Sequence, residues 1–218
     1  PRGIVAEIEE KSSVICPGTD PPPAAFTPPK WRRDAAPVIV WNHRWEHDKD
    51  PEAFFEVLYR LDREDIPFSL LLLGERYGKV PRVFDEARTR LAPKIVFDGY
   101  VDSREEYLGL LSCASVAVST AIQENFGISV VEAIRAGCRP LLPRRLSYPE
   151  LIPSEFHGDV LYDSREDLYS RLKTLLQHPG SIPVPELSTR MQRFDWTHII
   201  DKIDSFIEES SGDGSGER

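Results

Sequence analysis

The sequence predicts an α/β protein with a doubly wound, six-stranded, parallel Rossmann-like sheet and helices on both faces. From Pro37 onward, short apolar runs alternate with helical patterns, which is typical of repeated strand–helix–strand units. The run FSLLLLG at 68–74 is continuously apolar, as expected of a parallel strand buried on both faces. Such alternation implies a parallel sheet with helices on both faces, and the rule that crossovers are right-handed then gives a doubly wound domain.

The predicted strands share a short apolar run that ends near a polar or glycine residue. They lie at 38–42, 68–74, 94–100, 115–120, 139–143 and 159–163. Helices are predicted from Asp50, then at 81–91, 103–114, 126–137, 164–177 and 196–209. Asp50 as N-cap followed by Pro51 is a strong helix start. Ser103 and Glu106 have capping-box spacing, and Gly137 is placed to end the helix before it.

The chain is expected to contain one domain with extended ends. Residues 1–37 are predicted to be a linker and the remnant of a preceding domain, because the chain starts without Met and carries many prolines here. Within this segment, SSVICPG at 12–18 is predicted to be one short strand. Residues 38–209 form the Rossmann-like domain, and the polar residues 210–218 form a disordered tail.

The composition excludes several classes of protein. The net charge of −9 argues against a general nucleic-acid-binding surface. Three scattered cysteines form neither a disulfide framework nor a zinc knuckle. We expect Cys113 and Cys138 to be buried, reduced thiols, which favours the cytoplasm, with the nucleus as an alternative. No apolar run reaches the roughly 18 residues that span a bilayer, so no membrane association is predicted.

The candidate site lies where ligands bind in such sheets, beyond the carboxyl ends of the strands. Arg44 and Lys49 follow the first strand, and Glu124, Gly127 and Glu132 follow the fourth. A helix N-terminus at Gly127 suits a phosphate, and the two cations would neutralise the same anion. Glu132 would accept hydrogen bonds from ribose or sugar hydroxyls. Together these residues predict a nucleotide-diphosphate site.

Other kinds of site compete for the same residues. His43 and His47 stand in H-x-x-E-H spacing, which in one class of zinc peptidase needs both histidines on one helix face. Here the helix starts only after His47, so zinc is not favoured. Glu124 and Glu132 could be the paired carboxylates of a glycosidase, although eight helical residues exceed the usual separation. No G-x-G-x-x-G occurs, and the sequence predicts neither a metal nor an organic cofactor.

The order of these motifs resembles one enzyme family. Glu124-x7-Glu132, with Phe126-Gly127 between, is similar to the E-x7-E signature of the retaining GT-B glycosyltransferases of family 4, and Arg44-x4-Lys49 resembles their diphosphate-binding pair. GE at 74–75, DGYV at 98–101 and EAIRAGCRPLLP at 132–143 fall at the family's usual places. The resemblance covers about residues 12–163 and implies the C-terminal, donor-binding half of a GT-B fold.

The resemblance also implies roles for individual residues. Arg44 and Lys49 would bind the diphosphate and, with Glu124, carry the catalysis, while Glu132 would bind the ribose. The positions around the transferred sugar would be Glu124, Asn125, Phe126, Gly127 and Ile128, and those around the nucleobase Tyr100 and Val101. The family usually has Gly where this chain has His43, so the role of that histidine stays open.

A narrower resemblance concerns the members of this family that mannosylate tRNA. It is carried by WNHRWEHDKDPEAFF, VSTAIQENFG and LSYPE. It implies GDP-mannose as the donor and the queuosine of tRNA as the acceptor. The tRNA would be held mainly by an N-terminal domain outside this chain, so we expect the isolated chain to bind donor without transferring sugar. The alternatives are a UDP-sugar with another acceptor, and a non-catalytic nucleotide-binding module.

Overall fold

A computed structural model describes residues 2–33, 36–76 and 80–212. Its centre is a six-stranded parallel sheet in the order β3-β2-β1-β4-β5-β6, which confirms the predicted fold class. The strands are β1 Val38–Trp41, β2 Ser69–Leu73, β3 Ile95–Gly99, β4 Val116–Val118, β5 Arg139–Pro143 and β6 Leu161–Tyr162. Each lies within a predicted strand.

Helices connect and cover the strands. They are α1 Arg2–Glu10, α2 Pro51–Arg63, α3 Val83–Arg90, α4 Arg104–Ser112, α5 Ile128–Arg135, α6 Tyr148–Leu151, α7 His157–Val160, α8 Arg165–Gln177, α9 Pro185–Met191 and α10 Trp196–Gly212. The predicted helix starts are confirmed: the Asp50 side chain accepts from the Ala53 amide at 3.2 Å, and Ser103 Oγ accepts from the Glu106 amide at 3.2 Å.

Both faces of the sheet are buried, and β1 shows why its sequence is apolar throughout. Ile39 and Trp41 belong to the core cluster that includes side chains of α2, α3 and α8. Val38 and Val40 point to the opposite face and pack in the cluster with α4. All four are fully buried. Because successive side chains of a strand point to opposite faces, a strand covered on both sides needs apolar residues at every position.

The strand order places a crevice beside β1. The chain runs outward from β1 through β2 to β3, and then returns to the other side of β1 as β4. At such a switch point, the loops after β1 and β4 diverge and leave room for a ligand at the carboxyl edge. These loops are residues 42–50 after β1 and 119–127 after β4, and the loop after β3, residues 100–103, ends at the same edge of the sheet.

The N-terminal segment differs from the prediction. The strand predicted at 12–18 is wrong: these residues form no strand, and pairing is limited to an isolated bridge between Thr19 and Asp195. A strand needs a neighbour along its length, and within the described residues the isolated bridge involves only Thr19, just beyond this segment. Helix α1 precedes it, where a linker was expected. The proline-rich residues 20–29 are neither helix nor strand, as predicted.

The C-terminal helix is longer than expected. Helix α10 continues to Gly212, three residues into the predicted tail, and the remaining tail residues 213–218 lie outside the described part of the chain. Within the described ranges no helix combines the length and apolarity needed to cross a membrane. Cys113 and Cys138 are free and buried, as predicted.

Candidate functional site

Hydrogen bonds join the loops after β1 and β4 at the carboxyl edge of the sheet. The carbonyl oxygen of Asp48 accepts from the amides of Ile122 at 2.8 Å and Gln123 at 3.2 Å. Thr120 Oγ1 donates to the carbonyl of Lys49 at 2.8 Å. Because these bonds fix one loop against the other, charged side chains from both loops have defined relative positions.

The two histidines of the first loop do not face a common point. His43 is 4% exposed, whereas the side chain of His47 is 75% exposed. Helix α2 begins only at Pro51, so neither histidine lies on it. Among the described residues, no group of three or more His, Cys, Asp or Glu side chains could hold a metal ion. His43 and His47 therefore do not share a helix face, which the zinc-peptidase spacing requires.

Arg44 and Lys49 occupy different environments in that loop. The Arg44 side chain is 53% exposed, and its guanidinium lies 3.0 Å from the Glu46 carboxylate. Lys49 is 7% exposed, and its Nζ donates to the carbonyl of Gln123 at 2.7 Å. Lys49 Nζ also lies 3.5 Å from Glu124 Oε2. Arg44 is thus accessible to a ligand, while Lys49 is an internal charge that ties the two loops together.

Asp48 links the two cations, and the sequence analysis did not single it out. Its Oδ2 lies 3.2 Å from Lys49 Nζ and 3.7 Å from Arg44 Nη2. One carboxylate oxygen therefore stands where two positive charges converge. A phosphate oxygen would bind the same two cations. Asp48 therefore occupies a position that is favourable for an anion, and its carboxylate would compete with a phosphate for Arg44 and Lys49.

The loop before α5 carries Glu124 and the predicted sugar-contacting positions. Glu124 Oε1 accepts from the Asn125 amide at 3.1 Å. The Phe126 ring packs edge-on against Phe194, with 5.3 Å between centroids. Gly127 is the N-cap of α5 with φ of 94°, a left-handed conformation that favours glycine. A Cβ there would lie 3.2 Å from the Tyr148 ring, so glycine also allows the close packing beneath the start of α5.

Glu132 sits one turn into α5 with both carboxylate oxygens engaged. It is 6% exposed. Arg104 Nη2 donates to Oε1 at 2.5 Å, and the Tyr107 hydroxyl donates to Oε2 at 3.0 Å. Burial, reinforced by the nearby Glu132 charge, raises the pKa of Tyr107 above its usual range, so this hydroxyl stays protonated. Asn42 Nδ2 donates in turn to the Tyr107 oxygen at 3.2 Å.

A cavity of about 370 Å³ opens beside β1 at the carboxyl edge. Four predicted site residues line it: Arg44, Tyr100, Val101 and Glu132. The other predicted positions lie on the adjoining loops and do not line it: Lys49, Glu124, Asn125, Phe126, Gly127 and Ile128. A larger, open groove of about 870 Å³ runs between α2 and α3 and contains none of the predicted residues. We take the smaller cavity as the candidate site, because it lies at the switch point.

Gly74 forms part of the cavity wall for a steric reason. A Cβ at this position would fall 2.1 Å from the His43 carbonyl oxygen and 2.7 Å from the Trp45 ring nitrogen. The strand end and the first loop can therefore approach each other only with glycine here. Gly74, the glycine of the GE pair at 74–75, thus has a structural role, because it lets the first loop lie over the end of β2.

His43 takes a buried position under the first turn of α5. Its Nδ1 lies 3.3 Å from Ser129 Oγ, and Asn42 Nδ2 donates to the Ser129 carbonyl at 2.7 Å. Burial, with a smaller contribution from Lys49, lowers the pKa of His43 from 6.5 to about 4. The ring is therefore neutral at neutral pH, and it fastens α5 to the end of β1 without adding charge.

Four residues of this arrangement were not predicted from the sequence: Asn42, Asp48, Arg104 and Tyr107. Only Arg104 carried a usable signal. It is the first residue of α4, where a basic side chain opposes the positive end of the helix dipole. An arginine in that position indicates a role outside its own helix. For the other three, nothing in the local pattern distinguishes a functional side chain from a structural one.

Comparison with known proteins identifies one matching family and several related enzymes. Residues 26–194 match the family described as Glycosyl transferases group 1. The tRNA-queuosine alpha-mannosyltransferase of Drosophila melanogaster is 36% identical over 141 residues, covering 65% of this chain and 36% of that protein. A GDP-mannose-dependent alpha-(1-6)-phosphatidylinositol dimannoside mannosyltransferase of Mycobacterium tuberculosis is 23% identical over 149 residues, covering 68% of this chain and 38% of that protein.

Solved structures agree on the fold. The sucrose-phosphate synthase of Thermosynechococcus elongatus superposes with a TM-score of 0.76 at 18% identity, covering 96% of this chain and 57% of that one. At this identity the likeness concerns the fold alone. The chain spans little more than a third of the length of the two curated relatives, 36% and 38%.

Proposed function

The chain belongs to the group 1 glycosyl transferases, and from that premise we propose that it is the donor-binding domain of a retaining enzyme that transfers mannose from GDP-mannose to the queuosine of tRNA. Mannosyltransferases stand among its relatives, and the relative named for queuosine shares 36% identity with it. The donor, the acceptor and the residue roles below are parts of this proposal.

One observation carries the donor site: a cavity at the switch point is lined both by an accessible cation and by a buried carboxylate. Arg44 and Glu132 both line it. A nucleoside diphosphate presents both anionic oxygens and ribose hydroxyls, so its site needs a cation for the first and a hydrogen-bond acceptor for the second. Tyr100 and Val101 line the same cavity and would flank the guanine, with Tyr100 59% exposed and open to stacking.

The diphosphate would lie against Arg44 and the start of α5. The guanidinium is a fixed, bidentate donor suited to phosphate oxygens. The start of α5 would add backbone amide donors and a positive dipole end. Lys49 would act from beneath the loop, because it is buried and held by the carbonyl of Gln123. Asp48 must yield part of its contact with Arg44 when the phosphate binds.

The transferred mannose would sit beside Glu124 and the backbone of residues 125–128. Glu124 is held by Lys49 and by the Asn125 amide, so its carboxylate has a fixed position near the diphosphate. A carboxylate in that place accepts hydrogen bonds from sugar hydroxyls and fixes the sugar for attack.

The reaction exchanges one bond at the anomeric carbon for another on the same face of the sugar. The acceptor oxygen forms a bond to the anomeric carbon as the bond from that carbon to the β-phosphate oxygen breaks. The leaving diphosphate keeps the bonding electron pair and takes the hydroxyl proton. This chain would contribute charge stabilisation of the leaving group through Arg44, Lys49 and the start of α5, with no protein nucleophile required.

The acceptor would be bound mainly outside this chain. The net charge of −9 gives the chain as a whole little attraction for the phosphates of tRNA. The chain corresponds to about a third of its curated relatives, which leaves room for acceptor recognition elsewhere. We therefore expect the isolated chain to bind donor without measurable transfer, and turnover by this chain alone would contradict that division of labour.

Titration calorimetry with GDP, GDP-mannose, UDP and UDP-glucose tests the proposal. Tighter binding of the two guanosine ligands supports a GDP-mannose donor. Tighter binding of the uridine ligands would replace that donor with a UDP-sugar. Absence of binding by all four would leave a non-catalytic interaction module. Arg60→Ala is a suitable control variant, since Arg60 pairs with Glu166 away from the cavity.

A further inference from the structure

The turn formed by Gly18, Thr19 and Asp20, here called the connector turn, is firmly docked on the domain. The Thr19 amide donates to the Phe194 carbonyl at 2.7 Å, and the Trp196 amide donates to the Thr19 carbonyl at 3.0 Å. Thr19 is fully buried. A Cβ on Gly18 would fall 2.4 Å from the Trp196 ring, so the turn lies directly against that side chain.

Two lines of contact run from the connector turn to α5. In the first, Asp20 Oδ2 lies 3.1 Å from Arg104 Nε, and Arg104 Nη2 donates to Glu132 at 2.5 Å. In the second, Asp195 pairs with Thr19 as a β-bridge and holds Arg135 through two bonds of 2.7 Å. Glu132 and Arg135 are one turn apart on α5, so the connector turn is fastened to the helix that carries the ribose-binding carboxylate.

Arg104 and Tyr107 hold the Glu132 carboxylate at its two oxygens. Each carboxylate oxygen has two lone pairs, so one on each remains available for a ligand hydroxyl. Two adjacent acceptors in fixed orientation suit the neighbouring hydroxyls of a ribose. Without Arg104, the buried charge would lose its cationic partner and the carboxylate could rotate about its last bonds. The orientation of Glu132 therefore depends on the guanidinium beside it.

We propose that Arg104 is a positioning residue for Glu132 and that Asp20 holds Arg104 in place, so that the cavity's affinity for a ribose diol depends on the docked connector turn. The inference rests on the proposed function, because it takes ribose as the group that Glu132 binds. It adds a specific consequence: a change at Asp20, in the segment that precedes the domain, reaches Glu132 through the Arg104 guanidinium, which contacts both carboxylates.

The two contacts of Arg104 predict effects of different size. Arg104→Gln removes the positive charge that contacts the Glu132 carboxylate. Asp20→Asn removes only the outer partner of a side chain that is 46% exposed, which lets the guanidinium move while its contact with Glu132 persists. Both substitutions should weaken the hydrogen bonds between Glu132 and the ribose hydroxyls and leave the diphosphate contacts at Arg44 unchanged.

The test compares GDP with its dideoxy analogue, whose ribose lacks both hydroxyls, and uses inorganic pyrophosphate as the probe without ribose. We expect the wild-type chain to bind GDP at least about tenfold more tightly than the analogue, as for hydrogen bonds to a charged acceptor. Arg104→Gln should bring this ratio close to one, and Asp20→Asn should lower it about threefold. Arg104→Lys should restore part of the ratio. Pyrophosphate affinity should be the same throughout, and Arg60→Gln is the control.

A double variant tests whether Asp20 acts through Arg104. If it does, Asp20→Asn causes no further change in the Arg104→Gln background. The inference would be overturned if Arg104→Gln kept the wild-type ratio of GDP to dideoxy-analogue affinity. It would also be overturned if Asp20→Asn lowered that ratio as much in the Arg104→Gln background as in the wild type. The proposed function would stand in both cases. A folded wild-type chain that binds GDP but does not distinguish it from the analogue would overturn the ribose role of Glu132, and this inference with it.

Discussion

The ammonium nitrogen of Lys49 lies 3.5 Å from Oε2 of Glu124, across 75 positions of the sequence. Lys49 was expected to bind a diphosphate and Glu124 a sugar, and the contact makes the two residues one charged unit between the β1 and β4 loops. Lys49 is 7% exposed, so the pair is largely shielded from water. A substitution at either residue should therefore change loop geometry as well as ligand contacts.

Replacing Lys49 with methionine should destabilise the protein. The change leaves Glu124 and Asp48 without their buried cation, which costs about 3 kcal/mol when one partner of a buried pair is removed. Urea unfolding measures this loss. Lys94→Met is the matched control, because Lys94 pairs with Asp62 nearer the surface and should cost less than about 1 kcal/mol. Equal losses for the two variants would show that Lys49 has no special structural role.

Replacing Arg44 with alanine should weaken GDP binding by about 1.5–3 kcal/mol. The lower end of that range is expected, because Arg44 is half exposed and already contacts Glu46. Calorimetric titration of the variant against Arg60→Ala separates this effect from a general loss of positive charge. Unchanged affinity for GDP in Arg44→Ala would remove Arg44 from the site.

Replacing Asp48 with asparagine should strengthen anion binding. Its Oδ2 contacts both Lys49 and Arg44, and a neutral amide of the same shape would release these cations to a phosphate. We expect affinity for pyrophosphate to rise about threefold or more. Asp62→Asn, which lies away from the cavity, should leave it unchanged. A fall in affinity would mean that Asp48 supports the anion site by holding the two cations in place.

The buried His43 predicts a specific loss of stability in acid. Its pKa is about 4 in the folded chain against 6.5 for an ordinary histidine, so between these values the unfolded chain binds the extra proton. Stability contributed by the neutral ring is therefore present above about pH 6.5 and is lost as the pH falls towards 4, by about 3 kcal/mol in total.

Urea unfolding of wild type and His43→Asn over this pH range tests that statement. The stability of the variant should fall less steeply between pH 6.5 and 4, while both chains share the contribution of their carboxylates. Parallel curves would show that the folded chain protonates His43 as readily as the unfolded chain does.

The fold was predictable because its determinants are local. The continuous apolar run of β2 and the Asp50–Pro51 helix start follow from rules that involve a few neighbouring residues. The strand at residues 12–18 was predicted wrongly because strand formation is not local. Apolar β-forming residues make a strand only where another strand lies alongside, and the local sequence does not show whether such a neighbour is present.

The site was predictable only in part, for a related reason. The strand order brings the loop with Arg44 and the helix with Glu132 to one cavity, as expected from the switch-point rule. The contact between Arg104 and Glu132 joins residues 28 positions apart on different helices. Such a contact depends on how two helices pack and which way long side chains extend, and neither is encoded in local spacing.

Backbone amide chemical shifts of the labelled protein, followed by NMR as GDP-mannose is added, show whether the cavity beside β1 binds the sugar donor. We expect saturable shifts concentrated at 42–49, 100–102 and 123–132, with the amides of Arg60 and its neighbours unchanged. Saturable shifts confined to the groove between α2 and α3, or no shifts at millimolar ligand, would contradict the assignment of the cavity beside β1 as a donor site.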